Sequence, residues 1–304
     1  MSRLEAELGI SWAALLAIAI PLVALLAAGV WLALHFLQPV PPRRIAFAAG
    51  PERGALHQFA LRYRDILARD GVTLDVKVTR GVGDNLALLR EAHGGAEAGF
   101  LVAGVAGEAD ARSLVNVSSV AYAPLWVLYR GAAEVRDLSG FRGRRIATGE
   151  PGSGVAVVIG PLVAANGITP ATSTLIELPF DDALAALLRG EVDVAFLGEG
   201  PQHPVFIDAL AQPDLHLMDF ARADAYARRF PWLRALSLPA GTLDFSRNLP
   251  DREVRLIGST AMIAARDGLH PTIVDLLVDA AREVHGGNGL FEARGEFQIG
   301  RAHV

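Results

Sequence analysis

From Ile10 to Leu37 the chain carries no charged side chain, and the only ionisable group in that run is His35. A helix crosses the bilayer core with about 20 apolar residues, and the apolar region of a signal peptide is roughly half as long as this run, so 10–37 reads as an uncleaved transmembrane anchor. Trp12 and Trp31 stand near its ends, where indole rings favour the membrane interface. Pro21 is tolerated inside such a helix. The competing reading is a cleaved signal peptide, whose nearest small-residue cleavage site, Ala27-Ala28-Gly29, sits deep in the apolar run. The anchor divides the chain into a short tail, 1–9, a proline-rich extended spacer, 38–42, and a soluble domain from Arg43 onward. Arg3 before the run and Arg43 with Arg44 after it weakly favour the orientation opposite to export of that domain.

The remaining length of a 304-residue chain holds one large or two smaller cores. With a net charge of -5 and no lysine- or arginine-rich run, a nucleic-acid partner has no electrostatic support. No cysteine is present, which removes disulfides, thiolate metal sites, cysteine nucleophiles and a lipid-modified cysteine.

Beyond Arg44, short apolar runs alternate with amphipathic helical patterns, and this rhythm predicts an α/β architecture with largely parallel strands. Strands are expected at Ile45–Ala48, at Leu74–Val78 with alternating polarity, and at Ala98–Ala103. Leu56, Phe59, Ala60, Tyr63, Ile66 and Leu67 share one face of an intervening helix. A second helix starts at Asp84 or Asn85 and reaches Ala92. Val115–Tyr129 is apolar with Pro124 in its middle, predicting two extended pieces joined by a bend. Further on, strands are expected at Thr174–Leu178, Val192–Leu197, Leu215–Asp219 and Val254–Ala265. Helices are expected after Ser153, over Phe180–Arg189, over 202–211 and over Pro271–His285. Pro161 should kink or restart the helix after Ser153.

Several of these strands end in glycine bends: 49–54, 81–85, 149–154 and 198–201. Bends at the carboxyl ends of strands converge on the crevice where open α/β sheets bind ligands. The richest is Asp137-Leu-Ser-Gly-Phe-Arg-Gly-Arg-Arg-Ile-Ala-Thr-Gly-Glu-Pro-Gly-Ser-Gly154, which opens a helix at Ser153. The first backbone N–H groups of a helix are unpaired and partly positive, so Gly152, Ser153 and Gly154 are candidates to hold an anionic group. Equally, Ser153 serves as an ordinary N-cap.

Taken in order, Gly81-Val-Gly-Asp-Asn-Leu86, the 137–154 stretch and Asp182-Ala-Leu-Ala-Ala-Leu-Leu-Arg-Gly-Glu-Val-Asp-Val-Ala-Phe196 resemble the TAXI family of extracytoplasmic solute receptors, the binding components of TRAP-type transporters. The likeness runs from Arg43 to about Glu296. It implies a two-lobed type II periplasmic-binding-protein-like fold preceded by one N-terminal transmembrane helix. Lobe 1 would span 43–125 with part of 255–296 returning to it, and lobe 2 would span 126–254. It further implies capture of a small anionic or zwitterionic solute, carboxylate or amino-acid-like, and delivery to transporter membrane subunits. The soluble domain would then sit on the periplasmic or extracytoplasmic side of the inner membrane. Where the family's first bend is glycine-rich and followed by aromatics, this chain has Glu52, Arg53, Leu56 and His57, which weakens the match there.

Candidate ligand-binding residues follow from these bends: Gly50, Arg53, Gly81, Asp84, Asn85, Tyr122, Gly152, Ser153, Gly154 and Glu199. Asp84 and Asn85 suit a ligand amine or hydroxyl, or cap a helix; Arg53 suits a carboxylate, or is a solvated surface cation. Glu199, between Gly198 and Gly200, suits an ammonium. Tyr122 either lines a pocket or packs. No catalytic residue, metal site or cofactor is expected: the histidines lack metal-ligand spacing, and 149–154 lacks the lysine of a phosphate-binding loop. An anchored sensor that reports binding without transport is the alternative function, and an enzyme on the same fold a weaker one. Ile299-Gly-Arg-Ala-His-Val304 looks like translated adapter sequence, so 297–304 is expected to be a non-native end of a truncated frame.

Overall fold

The computed structural model of the protein describes residues 12–36, 41–91, 94–201 and 203–297. Two units separate by their contacts, 1–41 and 42–304. In the first, helix α1 (Trp12–Phe36) runs for 25 residues through Pro21. Its side chains are described over 16–32, a stretch shorter than the ~20 residues a bilayer needs. Among the described residues no helix is long and apolar enough to cross a membrane. The predicted anchor, 10–37, extends past the described side chains at both ends, and the tail 1–9, most of the spacer 38–42 and nearly all of 297–304 lie outside the described residues.

The second unit alternates as the sequence predicts: β1 (Arg44–Gly50), α2 (Ala55–Arg69), β2 (Thr73–Val78), α3 (Val82–Arg90) and β3 (Ala98–Val102). In α2 the buried positions His57, Ala60, Tyr63 and Leu67 recur every three or four residues, so one stripe faces the sheet. After the long strand β4 (Leu114–Arg130) come β5 (Arg145–Ala147), α4 (Gly154–Ala165), β6 (Thr174–Ile176), α5 (Phe180–Arg189) and β7 (Val194–Leu197). The chain continues through α6 (Pro204–Leu210), β8 (Leu215–Leu217), α7 (Ala223–Arg229), β9 (Leu233–Leu238) and β10 (Val254–Arg266), and closes with α8 (Pro271–His285).

The strands form a sheet in the order β2-β1-β3-β10-β4-β7-β5-β6, with β8 on β4 and β9 on β10. Parallel pairing holds on the two flanks, β1 with β2 and β3, and β5 with β6 and β7. In the middle, β10 is antiparallel to β3, β4 and β9, and β4 is antiparallel to β7 and β8. The predicted largely parallel sheet is therefore mixed, because the two long strands that link the flanks run against them.

Two hydrophobic cores lie along this sheet. One is built from β1, β2, β3 and the first part of β4, with Ala261–Ala265 of β10 and helix α8. Phe47, Phe100 and Tyr63 form its aromatic centre, with the Phe47 and Phe100 rings 5.0 Å apart, edge to face. The other runs from Leu125 to Ile257 and centres on Trp126, whose ring lies 5.2 Å from that of Phe206.

Pro124 does not break β4, which is one strand of 17 residues rather than two pieces joined by a bend. Its partner on β10 is Gly258, where a Cβ would come within 3.0 Å of the Pro124 Cα. Glycine admits the close approach, and on the other edge the partner β7 begins only at Trp126, so the missing proline N–H leaves no ladder bond unmade. Pro161 likewise lies inside α4, which continues through it without restarting. The stretch 222–249, which carries no clear period, holds α7 and β9.

Candidate functional site

The loop before α3 and the loop before α4 meet directly. The N–H groups of Gly83 and Asp84, at the start of α3, both donate to the Gly152 carbonyl, at 3.1 and 3.3 Å. These are first-turn N–H groups that the helix itself leaves unpaired. The approach is possible only through glycine: a Cβ on Gly83 would stand 2.7 Å from the Gly152 oxygen, and one on Gly152, whose φ is 88°, would stand 2.4 Å from Asp84 Oδ1. Gly81 also packs closely against Ser153 and Gly154, with 3.1 Å from its would-be Cβ to each.

Beneath this contact lies a cavity of about 490 Å³, within the range of small-molecule sites. Both cores contribute to its wall, from Leu56 and Phe59 on one side to Phe180 and Phe196 on the other, with Tyr122 to Trp126 of β4 between them.

Five of the ten candidate residues line the cavity: Gly81, Tyr122, Ser153, Gly154 and Glu199. The Ser153 hydroxyl accepts the Ala156 N–H at 3.2 Å, so it acts as the N-cap of α4. The Tyr122 N–H donates to Glu292 Oε1 at 2.5 Å, and its hydroxyl donates to Glu296 Oε1 at 2.7 Å. Burial first and Glu296 second push that phenol up to about 12.

The other five stand off the wall. Gly50 ends β1 and is buried, and Arg53 is exposed. Gly152 supplies the carbonyl described above. Asp84 is held by the Arg80 guanidinium, with two contacts of 2.8 Å, and that pairing keeps its carboxyl below the ordinary range. Asn85 is fully buried: Nδ2 donates to the carbonyls of Ala49 and Phe100 at 3.0 and 2.8 Å, and Oδ1 accepts from Thr79 at 2.6 Å. All of its strong hydrogen-bonding capacity is directed into the protein.

Glu199 reaches across the cleft, since a Cβ on Gly54 would lie 2.6 Å from its Oε1. Glu199 Oε2 is buried, and the polar group beside it is His203 Nε2, 3.2 Å away. Desolvation is the main cause of a raised Glu199 pKa.

Wall residues not singled out from the sequence include Arg80, Glu150, His285 and the segment 287–292 that follows α8. Arg80 carried a usable signal, its spacing of four from Asp84 beside a glycine bend. The segment 287–292 had none, because its place depends on Phe291 packing 6.0 Å from Trp126 and on the Glu292 contact with Tyr122.

Burial lowers the His285 pKa from 6.5 to about 4. The folded protein thus keeps this imidazole neutral where the unfolded chain protonates it, and stability is expected to fall as pH drops from 6.5 toward 4, by up to about 1.4 kcal/mol per pH unit. Glu199 acts in the opposite sense, so urea titrations of the wild type and His285→Gln at pH 7 and pH 5 isolate the histidine by difference. Equal pH slopes in the two proteins would refute the assignment.

The sequence profile described as the NMT1-like family matches residues 60–284. The chain belongs to the NMT1-like family. No curated protein matches it in sequence. Among solved structures, this NMT1-like chain is similar to the periplasmic aliphatic sulphonate binding protein SsuA from Escherichia coli, with a TM-score of 0.53 and 12% identity over 81% of this chain and 69% of that one. An ancestral arginine-binding protein bound to arginine matches with a TM-score of 0.50 and 13% identity over 80% of this chain and 92% of that one. A histidine kinase sensor domain described as similar to periplasmic binding proteins also matches at 0.50, with 14% identity over 80% and 90%. The fold is the mixed α/β fold of periplasmic binding proteins.

Proposed function

We propose that this NMT1-like protein is an extracytoplasmic solute receptor that captures a small solute between two lobes. The observation that carries the proposal is the cavity of about 490 Å³ between the two cores, shut at one rim by the bonds from Gly83 and Asp84 to Gly152. Lobe 1 is 43–125 with part of 255–296, and lobe 2 is 126–254; the two hydrophobic cores support this division. Gly81, Ser153, Gly154, Tyr122 and Glu199 are the contacts assigned to the solute. The TAXI-like order of the motifs supports a TRAP-type transporter as the recipient. The uncharged run 10–37 supports an anchor in the inner membrane, and retention of the protein in the pellet after an alkaline carbonate wash is the expected result.

Binding of a solute to the folded state alone raises its stability, by about 2.7 kcal/mol at a hundred times the dissociation constant. A thermal-shift screen of dicarboxylates, amino acids, sulfonates and amines on the purified chain is therefore expected to yield a stabilising class. Absence of any stabilising solute would remove the receptor proposal. The similarity to a kinase sensor domain supports a second proposal, an anchored sensor uncoupled from transport. Solute-dependent co-purification with transporter membrane subunits separates the two.

A further inference from the structure

The cavity wall constrains the chemistry of the solute. Leu56, Phe59, Val120, Trp126, Phe180 and Phe291 make much of it apolar. The aspartate, glutamate, lysine and arginine residues described on it are Arg80, Glu150, Glu199 and Glu292. The Arg80 charge is already matched by Asp84, at 2.8 Å. Glu292 Oε1 is engaged by the Tyr122 N–H. His285, on the same wall, is uncharged above a pH of about 4. An anion entering this cleft thus meets three carboxylates and, among the described residues of the wall, no cation that is not already paired. Burying an unpaired anion in such a place is unfavourable.

Glu199 is the exception among the acids. Its Oε2 is buried beside His203 Nε2, 3.2 Å away, while its Oε1 lies at the Gly54 side of the cleft. Resting on the receptor function proposed above, we infer that the cleft selects a solute with an apolar body and one cationic head, an ammonium, placed against the Glu199 carboxylate. Such a head would meet Oε1 with a charge-assisted hydrogen bond and offset the desolvation of the carboxylate. Because Glu199 belongs to the loop after β7 while Gly54 precedes α2, the same head would sit where the two sides meet and favour the shut cleft. Of the solutes that the sequence suggests, purely anionic ones do not fit this wall, and a zwitterion fits by its ammonium end alone.

Three probes of similar shape test the inference on the full chain: phenethylamine, phenethyl alcohol and hydrocinnamate, titrated calorimetrically. The amine is expected to bind tightest, about tenfold or more tighter than the alcohol, with the carboxylate weakest. Glu199→Gln, nearly isosteric, is expected to bring amine and alcohol to the same affinity, and its melting temperature reports that the fold is retained. The order among the three probes on the wild type needs no variant. Tightest binding by hydrocinnamate, an undiminished amine preference in Glu199→Gln, or no binding by any of the three would overturn the inference. Stabilisation by a dicarboxylate or sulfonate in the solute screen would overturn it while leaving the receptor function standing; an empty screen would remove both.

Discussion

Gly83→Ala is expected to weaken solute binding by about 30- to 100-fold while leaving the melting temperature of the solute-free protein unchanged or slightly higher. The added Cβ would stand 2.7 Å from the Gly152 oxygen and 3.1 Å from the Gly152 Cα. Both are backbone atoms, so neither swings aside as a side chain would. The two loops must separate, and the bonds from Gly83 and Asp84 to the Gly152 carbonyl are lost. At about 1 to 1.5 kcal/mol for each bond, closing becomes 2 to 3 kcal/mol harder, which sets the expected loss of affinity. The solute-free protein is taken to rest open, with these bonds unmade, so that only the change within α3 counts for its stability, and alanine is the better helix former by up to about 1 kcal/mol. Stability and affinity should therefore move in different directions, a pattern that general damage to the fold does not produce. Calorimetric titration with any solute found by screening, run beside thermal melting, measures both; unchanged affinity would show that closure does not pass through this contact.

Asn85→Ala should cost about 3 kcal/mol of stability and leave the affinity of the folded fraction unchanged. The Asn85 amide joins the carbonyl of Ala49, just inside the end of β1, to that of Phe100 in β3, and its oxygen receives the Thr79 hydroxyl from the loop after β2. Truncation leaves two buried carbonyls without these donors, at about 1 to 3 kcal/mol each, and opens a small void. Urea denaturation midpoints give the difference. A loss below about 1 kcal/mol would mean that water replaces the amide, and a selective loss of affinity would return Asn85 to the solute.

The 81–85 bend also marks where the sequence was legible. Asp84 and Asn85 were visible as polar residues in a glycine bend, which suits a ligand contact or a cap. What decides for Asn85 is its burial against Ala49 and Phe100, residues distant in the chain, and no local pattern carries that information. Helices α5 and α8 matched their expected bounds because their ends are written locally: Gly190 terminates α5 at a φ of 72°, and Pro271 opens α8. Pro124 misled for the opposite reason. A proline usually interrupts pairing, but here the change of partner from β10 to β7 and the glycine at 258 make the missing N–H harmless. That the 81–85 and 149–154 bends converge on one crevice was expected from their places at the ends of strands, and the family resemblance implies that they face each other. Glu292 and Phe291 were not expected, since nothing periodic precedes them and their partners Tyr122 and Trp126 lie far away in the chain.

The bond between the two bends is drawn entirely between main-chain atoms, amide hydrogens on one side and the Gly152 carbonyl on the other. Recognition and closure are thereby written in different alphabets. Wall side chains that neither anchor a core, as Trp126 does, nor hold the bends, as Arg80 and Ser153 do, can be exchanged to admit a new solute without touching the latch, provided the glycines at 81, 83 and 152 stay. A redesign of this scaffold as a biosensor can treat those positions as free variables and the latch as a fixed readout, with paired labels on the two bends reporting any solute that the rewritten wall accepts. The absence of cysteine means that those labels can be attached to two introduced thiols with no competing background.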